Sequence, residues 1–260
     1  MGFETLLETA MLHWYVVLLF FVIAILYSSV GFGGGSSYLA ILALTGIAFT
    51  QIRSTALLCN IAVVTGNIFI FYRKGLYEWK KVIPLAIASV PLAFFGGYLK
   101  IGQTFFFVLL GFTLLFAAIT MWISKRFVTG EKTLQRNKSL VNISYGGIIG
   151  FVSGMVGIGG GIFLAPLLHL RQWDAPKKIA ATASFFILVN SMSGLTGQLL
   201  NPDFTIDWSL TSILLITVFI GGQIGSRLSH KLFSPIQLKK ATAILIAYVS
   251  IRILWKYLFV

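Results

Sequence analysis

Two glycine strings hold the chemistry this chain offers most openly: Gly31-Phe32-Gly33-Gly34-Gly35 and Gly157-Ile158-Gly159-Gly160-Gly161. They stand 126 residues apart and match at four of five positions. Glycine costs about 1 kcal/mol relative to alanine in a helix interior, so each string breaks a helix. A short apolar stretch resumes after each, at Ser36-Ser37 and at Ile162-Phe163. The first amides of a new helix lack intrahelical partners and carry the positive end of its dipole. A glycine turn that lets a ligand reach those amides is a candidate anion site. The alternative is that the glycines only let helices pack closely. That reading is the better one for Gly96-Gly97 and Gly221-Gly222, which lie inside regular apolar spans.

The remaining polar groups agree with an anion. All seven acids fall in loops or termini, which leaves no carboxylate at membrane depth to hold a cation or relay a proton. Asn60, Thr65 and Asn67 follow the first string, and Thr182, Ser184, Asn190, Ser191 and Ser193 follow the second. Neutral donors suit an anion, although hydroxyls and amides also join helices without touching a ligand. The substrate-contact candidates are therefore Gly31, Gly33, Gly34, Gly35, Ser36, Ser37 and Asn60 in one half. In the other they are Gly157, Gly159, Gly160, Gly161, Thr182, Ser184 and Asn190. Arg53, Lys177 and Lys178 add positive charge at the entrances to these spans. The two lysines serve equally well as topology signals. His13, His169 and His230 are scattered and Cys59 is the single cysteine, so no metal site and no cofactor are expected.

The elements that position these residues follow from composition. Of 260 residues, 57% are hydrophobic and 10% charged, outside the range of soluble domains. An all-α polytopic membrane protein fits. The first apolar run is preceded by Glu4 and Glu8 with no basic residue, unlike a signal peptide, and reads as a retained span. Windows free of Asp, Glu, Lys and Arg run over 14–52, 54–72, 82–99 and 101–124, then over 139–170, 179–202 and 208–226, with a weaker last span at 241–251. The two longest hold the glycine strings. The order of windows repeats after about 125 residues, which gives a first repeat at 1–124, a basic linker at 125–138 and a second repeat at 139–260.

Eight crossings leave Lys and Arg evenly divided. Ten segments, with each broken window turning back at its glycines, place 16 of them on one face and four on the other. The uneven division is the cytoplasmic excess expected of an inner-membrane protein, and it makes the second repeat inverted relative to the first. Eight to ten segments in two inverted repeats is the resulting expectation. The net charge of +13 is then topology signal rather than a nucleic-acid surface. The partners expected are a lipid bilayer and a small anion, and no oligomeric state follows.

The string Gly150-Phe151-Val152-Ser153-Gly154-Met155-Val156-Gly157-Ile158-Gly159-Gly160-Gly161 resembles the TauE/SafE family of sulfite exporter-like permeases. Pro166-Leu167-Leu168, Ala180-Ala181-Thr182-Ala183-Ser184 and Gly221-Gly222-Gln223-Ile224-Gly225-Ser226-Arg227-Leu228 extend the resemblance. It covers about Trp14 to Trp255. It implies a bacterial or archaeal cytoplasmic-membrane transporter of sulfite, sulfonates or related anions, often an exporter. The first half departs from the second beside its loop, with Ala24 opposite Gly150, Ser28 opposite Gly154 and Ala40 opposite Pro166.

The expected function is a secondary transporter of small sulfur-containing anions; a passive anion channel and a membrane-embedded enzyme are the alternatives. An enzyme needs a buried nucleophile and base or a metal cluster, and the sequence offers neither. The 16-to-4 division predicts that cysteines introduced as K132C and D203C are labelled from opposite sides of the membrane, with the 125–138 linker cytoplasmic. Labelling of both by an impermeant reagent added outside contradicts it.

Overall fold

The computed structural model describes residues 3–123, 139–202, 204–228 and 235–259, and among them no strand occurs. The 125–138 linker and Asp203 lie outside the described residues. The helices are α1 (Phe3–Leu12), α2 (Trp14–Ser29), α3 (Gly35–Leu44), α4 (Phe49–Arg73), α5 (Trp79–Tyr98) and α6 (Gln103–Ile123). They continue as α7 (Ser139–Val156), α8 (Gly161–Leu170), α9 (Pro176–Leu199), α10 (Trp208–Leu228) and α11 (Pro235–Leu258). Five of these, α4, α5, α6, α9 and α10, are long and apolar enough to cross a membrane. The protein is an all-helical, multi-pass membrane protein.

Both long windows break where glycine was expected to break them. Gly31, with φ of 85°, ends α2, and Gly157, with φ of 89°, ends α7. In each case the next residue's N–H closes back over the helix end, Phe32 to the Tyr27 carbonyl and Ile158 to the Ser153 carbonyl. This six-to-one closure needs a left-handed residue, which glycine supplies without a Cβ penalty. The short helices then start at Gly35 and Gly161, one residue earlier than the sequence reading. The terminal span is longer than its charge-free core, because α11 runs through Lys239, Lys240 and Arg252.

Helix pairing repeats across the halves. α2 packs on α10 as α7 packs on α5, α3 meets α11 as α8 meets α6, and α4 meets α10 as α9 meets α5. The equivalent pairs α4–α9 and α6–α11 pack on each other. Within those pairs the chains run antiparallel: Leu57 lies by Gly194 and Phe71 by Ala180, while Phe107 stacks on Tyr257.

Close backbone approach sets these contacts. Gly146, Gly150 and Gly154 recur every four residues on α7, and a Cβ on each would strike α5 backbone at Leu85, Ser89 and Ala93. Gly221 and Gly225 do the same on α10 against Phe21 and Ile25 of α2. Gly97 faces the backbone of Gly194. Gly96, Gly97 and Gly221 thus sit at close backbone approaches, as the packing reading of the sequence expects, whereas a Cβ on Gly222 would meet Val63 at an ordinary 3.4 Å. A Cβ at Gly154 would come within 2.8 Å of the Ala93 backbone, which cannot rotate aside. Gly154→Val should therefore cost about 1–3 kcal/mol or more in thermal unfolding in detergent. Gly102→Ala, into open space, should change stability by no more than about 0.5 kcal/mol. Equal effects would refute the close-packing account.

Candidate functional site: a cavity between two glycine loops

Asn60 stands where the two loops meet. Its Nδ2 donates to the Ile158 carbonyl of the second loop at 2.9 Å. A Cβ on Gly33 would lie 2.7 Å from Asn60 Oδ1, one on Gly35 would lie 2.6 Å from the Ile158 carbonyl and 2.8 Å from Oδ1, and one on Gly159 would lie 2.9 Å from Nδ2. Three glycines from two loops thus crowd one fully buried amide. Asn60 Oδ1 has no partner among the described residues.

Above Asn60 opens a cavity of about 530 Å³. Gly31, Gly33, Gly35, Ser36, Asn60, Gly161 and Lys177 line it, so seven of the residues singled out from the sequence converge here. The first hydrogen bond at the start of α3 runs from Tyr38 N–H to the Gly34 carbonyl. The amides of Gly35, Ser36 and Ser37 therefore have no acceptor within their own helix. Asn67 adds a polar side chain to the wall; its Nδ2 has no partner among the described residues, and Ser28 Oγ donates to the Gly222 carbonyl at 2.7 Å. Among the described residues the lining contains no carboxylate. Exposed Lys74 and Lys177 stand at the mouth with His169, whereas Asn60 and Ser36 are buried at the floor.

Other candidates support the loops without lining the cavity. Gly34 caps α3, and a Cβ there would meet the Tyr38 ring. Ser37 hydrogen-bonds Tyr27 at 2.9 Å beneath the turn. Gly157 lies against Arg53 backbone, and Gly160, with φ of 81°, caps α8 against Phe186. Ser184 donates to the Gly31 carbonyl, tying α9 to the first loop. Asn190 donates to the Phe186 carbonyl of its own helix at 2.8 Å, and Thr182 is buried away from the wall.

Arg53 departs from its expected place at an entrance. Helix α4 begins at Phe49, before the charge-free window, and carries Arg53 inside, where it is 4% exposed. Sequence reasoning did not select Ser28, Asn67, Lys74, Ser226 and Thr242, which also line the cavity. Asn67 was visible as a buried polar residue and Ser28 as a departure between the repeats. Nothing in spacing alone brought Ser226 and Thr242 from late helices to the first loop.

Lys178 belongs to an ion cluster joining the halves beside the mouth. It pairs with Glu78, and Lys81 reaches Glu78 at 2.6 Å and Asp174 at 2.7 Å. Hydrogen bonds from Lys178 and Lys81 hold the Glu78 carboxyl down at about 2, against an ordinary 4.5. No group of three or more His, Cys, Asp or Glu placed to hold a metal occurs among the described residues.

Residues 16–253 match the family described as Sulfite exporter TauE/SafE. The chain belongs to this family. The probable membrane transporter protein y4hK of Sinorhizobium fredii is 33% identical over 245 residues, spanning 91% of this chain and 96% of that one. The probable membrane transporter protein YjnA of Bacillus subtilis is 26% identical over 251 residues, 89% of this chain and 96% of its own. An Arabidopsis thaliana protein named Sulfite exporter TauE/SafE family protein 2 matches over a shorter stretch, 34% identical across 34% of this chain and 18% of its own. No solved structure gives a significant match. Membership in TauE/SafE places the chain with membrane transporters rather than enzymes.

The depressed Glu78 pKa gives a signed expectation. A lowered carboxyl pKa contributes stability above the ordinary value and loses it only as pH falls from about 4.5 toward 2. The cluster is therefore constant across pH 5–8 and is sensitive to salt instead. Glu78→Gln should lower the thermal midpoint slightly in low salt, in keeping with about 0.2–1 kcal/mol for a partly exposed pair. In 1 M salt the difference should shrink. A difference that is unchanged by salt contradicts the ionic reading.

Proposed function

We propose that this TauE/SafE protein is a secondary transporter of small sulfur-containing anions such as sulfite or organosulfonates, working as an exporter in the cytoplasmic membrane of a bacterium or archaeon. The carrying observation is the cavity itself: the first amides of α3, with no acceptor in their own helix, beside it, lysines at its mouth and no carboxylate among the described residues of its wall. In low dielectric such donors favour an anion far more than they do in water. Asn60 Oδ1 is a buried acceptor at the floor without a partner among the described residues, and the hydroxyl of a protonated oxyanion such as hydrogen sulfite matches it.

The arrangement in the membrane belongs to the same reading. Inverted repeats of five segments each, with the 125–138 linker cytoplasmic, are supported by the antiparallel α4–α9 pairing of equivalent helices and by the uneven Lys/Arg division. The cavity mouth at Lys74 and Lys177 then faces the cytoplasm. Beyond the cavity floor, Leu57 is fully buried one turn before Asn60 on α4. A pathway open at one end and packed shut at the other supports a carrier over a passive channel. Export needs no buried proton acceptor, because an inside-negative potential drives anions outward by about 2.3 kcal/mol per charge per 100 mV.

Sulfite efflux from proteoliposomes tests this. The parent should show saturable, counterflow-competent efflux, and Asn60→Leu should reduce it at least tenfold while the protein still folds. Linear, non-saturating flux would support a channel, and undiminished efflux by N60L would remove Asn60 from the site.

A further inference from the structure

Arg53 sits on the far side of the cavity floor in surroundings that a packing role does not explain. It lies seven residues before Asn60 on α4, about 10 Å along the axis, and some 30 Å from the mouth lysine Lys74. The side chain is 4% exposed, yet no carboxylate among the described residues pairs with it. Its only hydrogen bonds there are long ones from Nη2, 3.4 Å to the Gly97 carbonyl and 3.5 Å to the Gly154 carbonyl, and its Nε has no partner. These two carbonyls come from the C-terminal parts of α5 and α7, whose dipoles attract a cation without neutralising it. A buried guanidinium without an anion carries a desolvation cost that two weak contacts do not offset.

A second donor shares its surroundings. Gln198, 4% exposed near the end of α9, has an Nε2 with no partner. Arg53 and Gln198 line one small space together with Thr50, Lys100 and Asn201, about 30 Å³ in volume and lined by no carboxylate among the described residues. That is room for water but not for a sulfonate. The repeat does not impose this grouping: at the 126-residue offset Ile179 stands opposite Arg53, so the charge belongs to one half alone.

We propose that Arg53, with Gln198, forms a second oxyanion subsite, which takes the substrate on the opposite side of the membrane once the packing beneath Asn60 opens. The guanidinium presents paired N–H groups in the plane that two oxygens of a sulfite, sulfonate or carboxylate occupy. In the closed state the helix-end carbonyls hold the cation in place. In the opened state the anion replaces that weak set. The proposal rests on the transport reading above and adds which residue receives the anion at the far side.

Sided sulfite counterflow in proteoliposomes tests it. Arg53→Gln should raise the half-saturating sulfite concentration at least tenfold on the Arg53 side and less than twofold on the Lys74 side, and Arg53→Lys should recover most of the loss. Equal changes on both faces, or none, overturn the subsite and leave Arg53 a helix-end cap. A second measurement stands apart from transport. In a Cys59→Ser background, Gln198→Cys is exposed in membranes to anionic and cationic thiol reagents of equal size. The anionic reagent should react at least tenfold faster, and Arg53→Gln should abolish that preference. Equal rates, or no reaction at all, contradict the proposal even if sulfite is transported. Absent parent counterflow together with a strong Arg53-dependent preference would refute the transport reading while keeping the subsite. If R53Q does not accumulate, R53K and the Q198C reagent ratio still decide.

Discussion

One buried amide holds the two halves of this protein in register. Asn60 reaches from α4 to the Ile158 carbonyl of the opposite loop, and the backbones of Gly33, Gly35 and Gly159 close around it. Each of those glycines leaves the space that a Cβ would need. Both broken helices must then turn at the same depth, and the non-helical backbone there is enclosed by protein and cavity rather than by lipid, as the cost of unpaired amides requires. The cavity, its donors and the packed floor beneath them follow from that meeting.

The two halves share a plan but not a chemistry. Helix pairings repeat faithfully, as do the left-handed glycines at 31 and 157 and the six-to-one closures after them. The side chains around the loops diverge. At the repeat offset Phe186 stands opposite Asn60, and it fills the space beside Gly160 where the first loop has its cavity. The first loop therefore opens its helix N-terminus to the cavity, while the second contributes mainly Ile158, Gly161 and Ile162 to the wall. The helix pairings are shared between the halves, and the side chains that differ around the loops leave the cavity on one side.

The helix breaks were legible in the sequence because glycine clusters within charge-free windows are local signals. Gly31, Gly33, Gly35, Ser36 and Asn60, picked out from the sequence because they sit on or near the break, line the cavity. Thr182, Ser184 and Asn190 look equivalent in a list of polar residues, but a helix distributes its side chains every 100°. Their faces turn to helix backbone and to the underside of the loop, as the bond from Ser184 to Gly31 shows. Arg53 was misplaced because a charge at the edge of an apolar window resembles a boundary. Only the position where α4 starts shows that it is interior.

Selenite, a heavier analogue of sulfite, offers the most direct test of whether the Asn60 cavity is the anion site. Anomalous scattering from crystals of the purified protein soaked in selenite locates the anion without any transport assay. The account predicts a peak within hydrogen-bonding distance of the Ser36 amide and the Asn60 side chain, lost in crystals of N60L. A peak elsewhere, with none in this cavity, would contradict it.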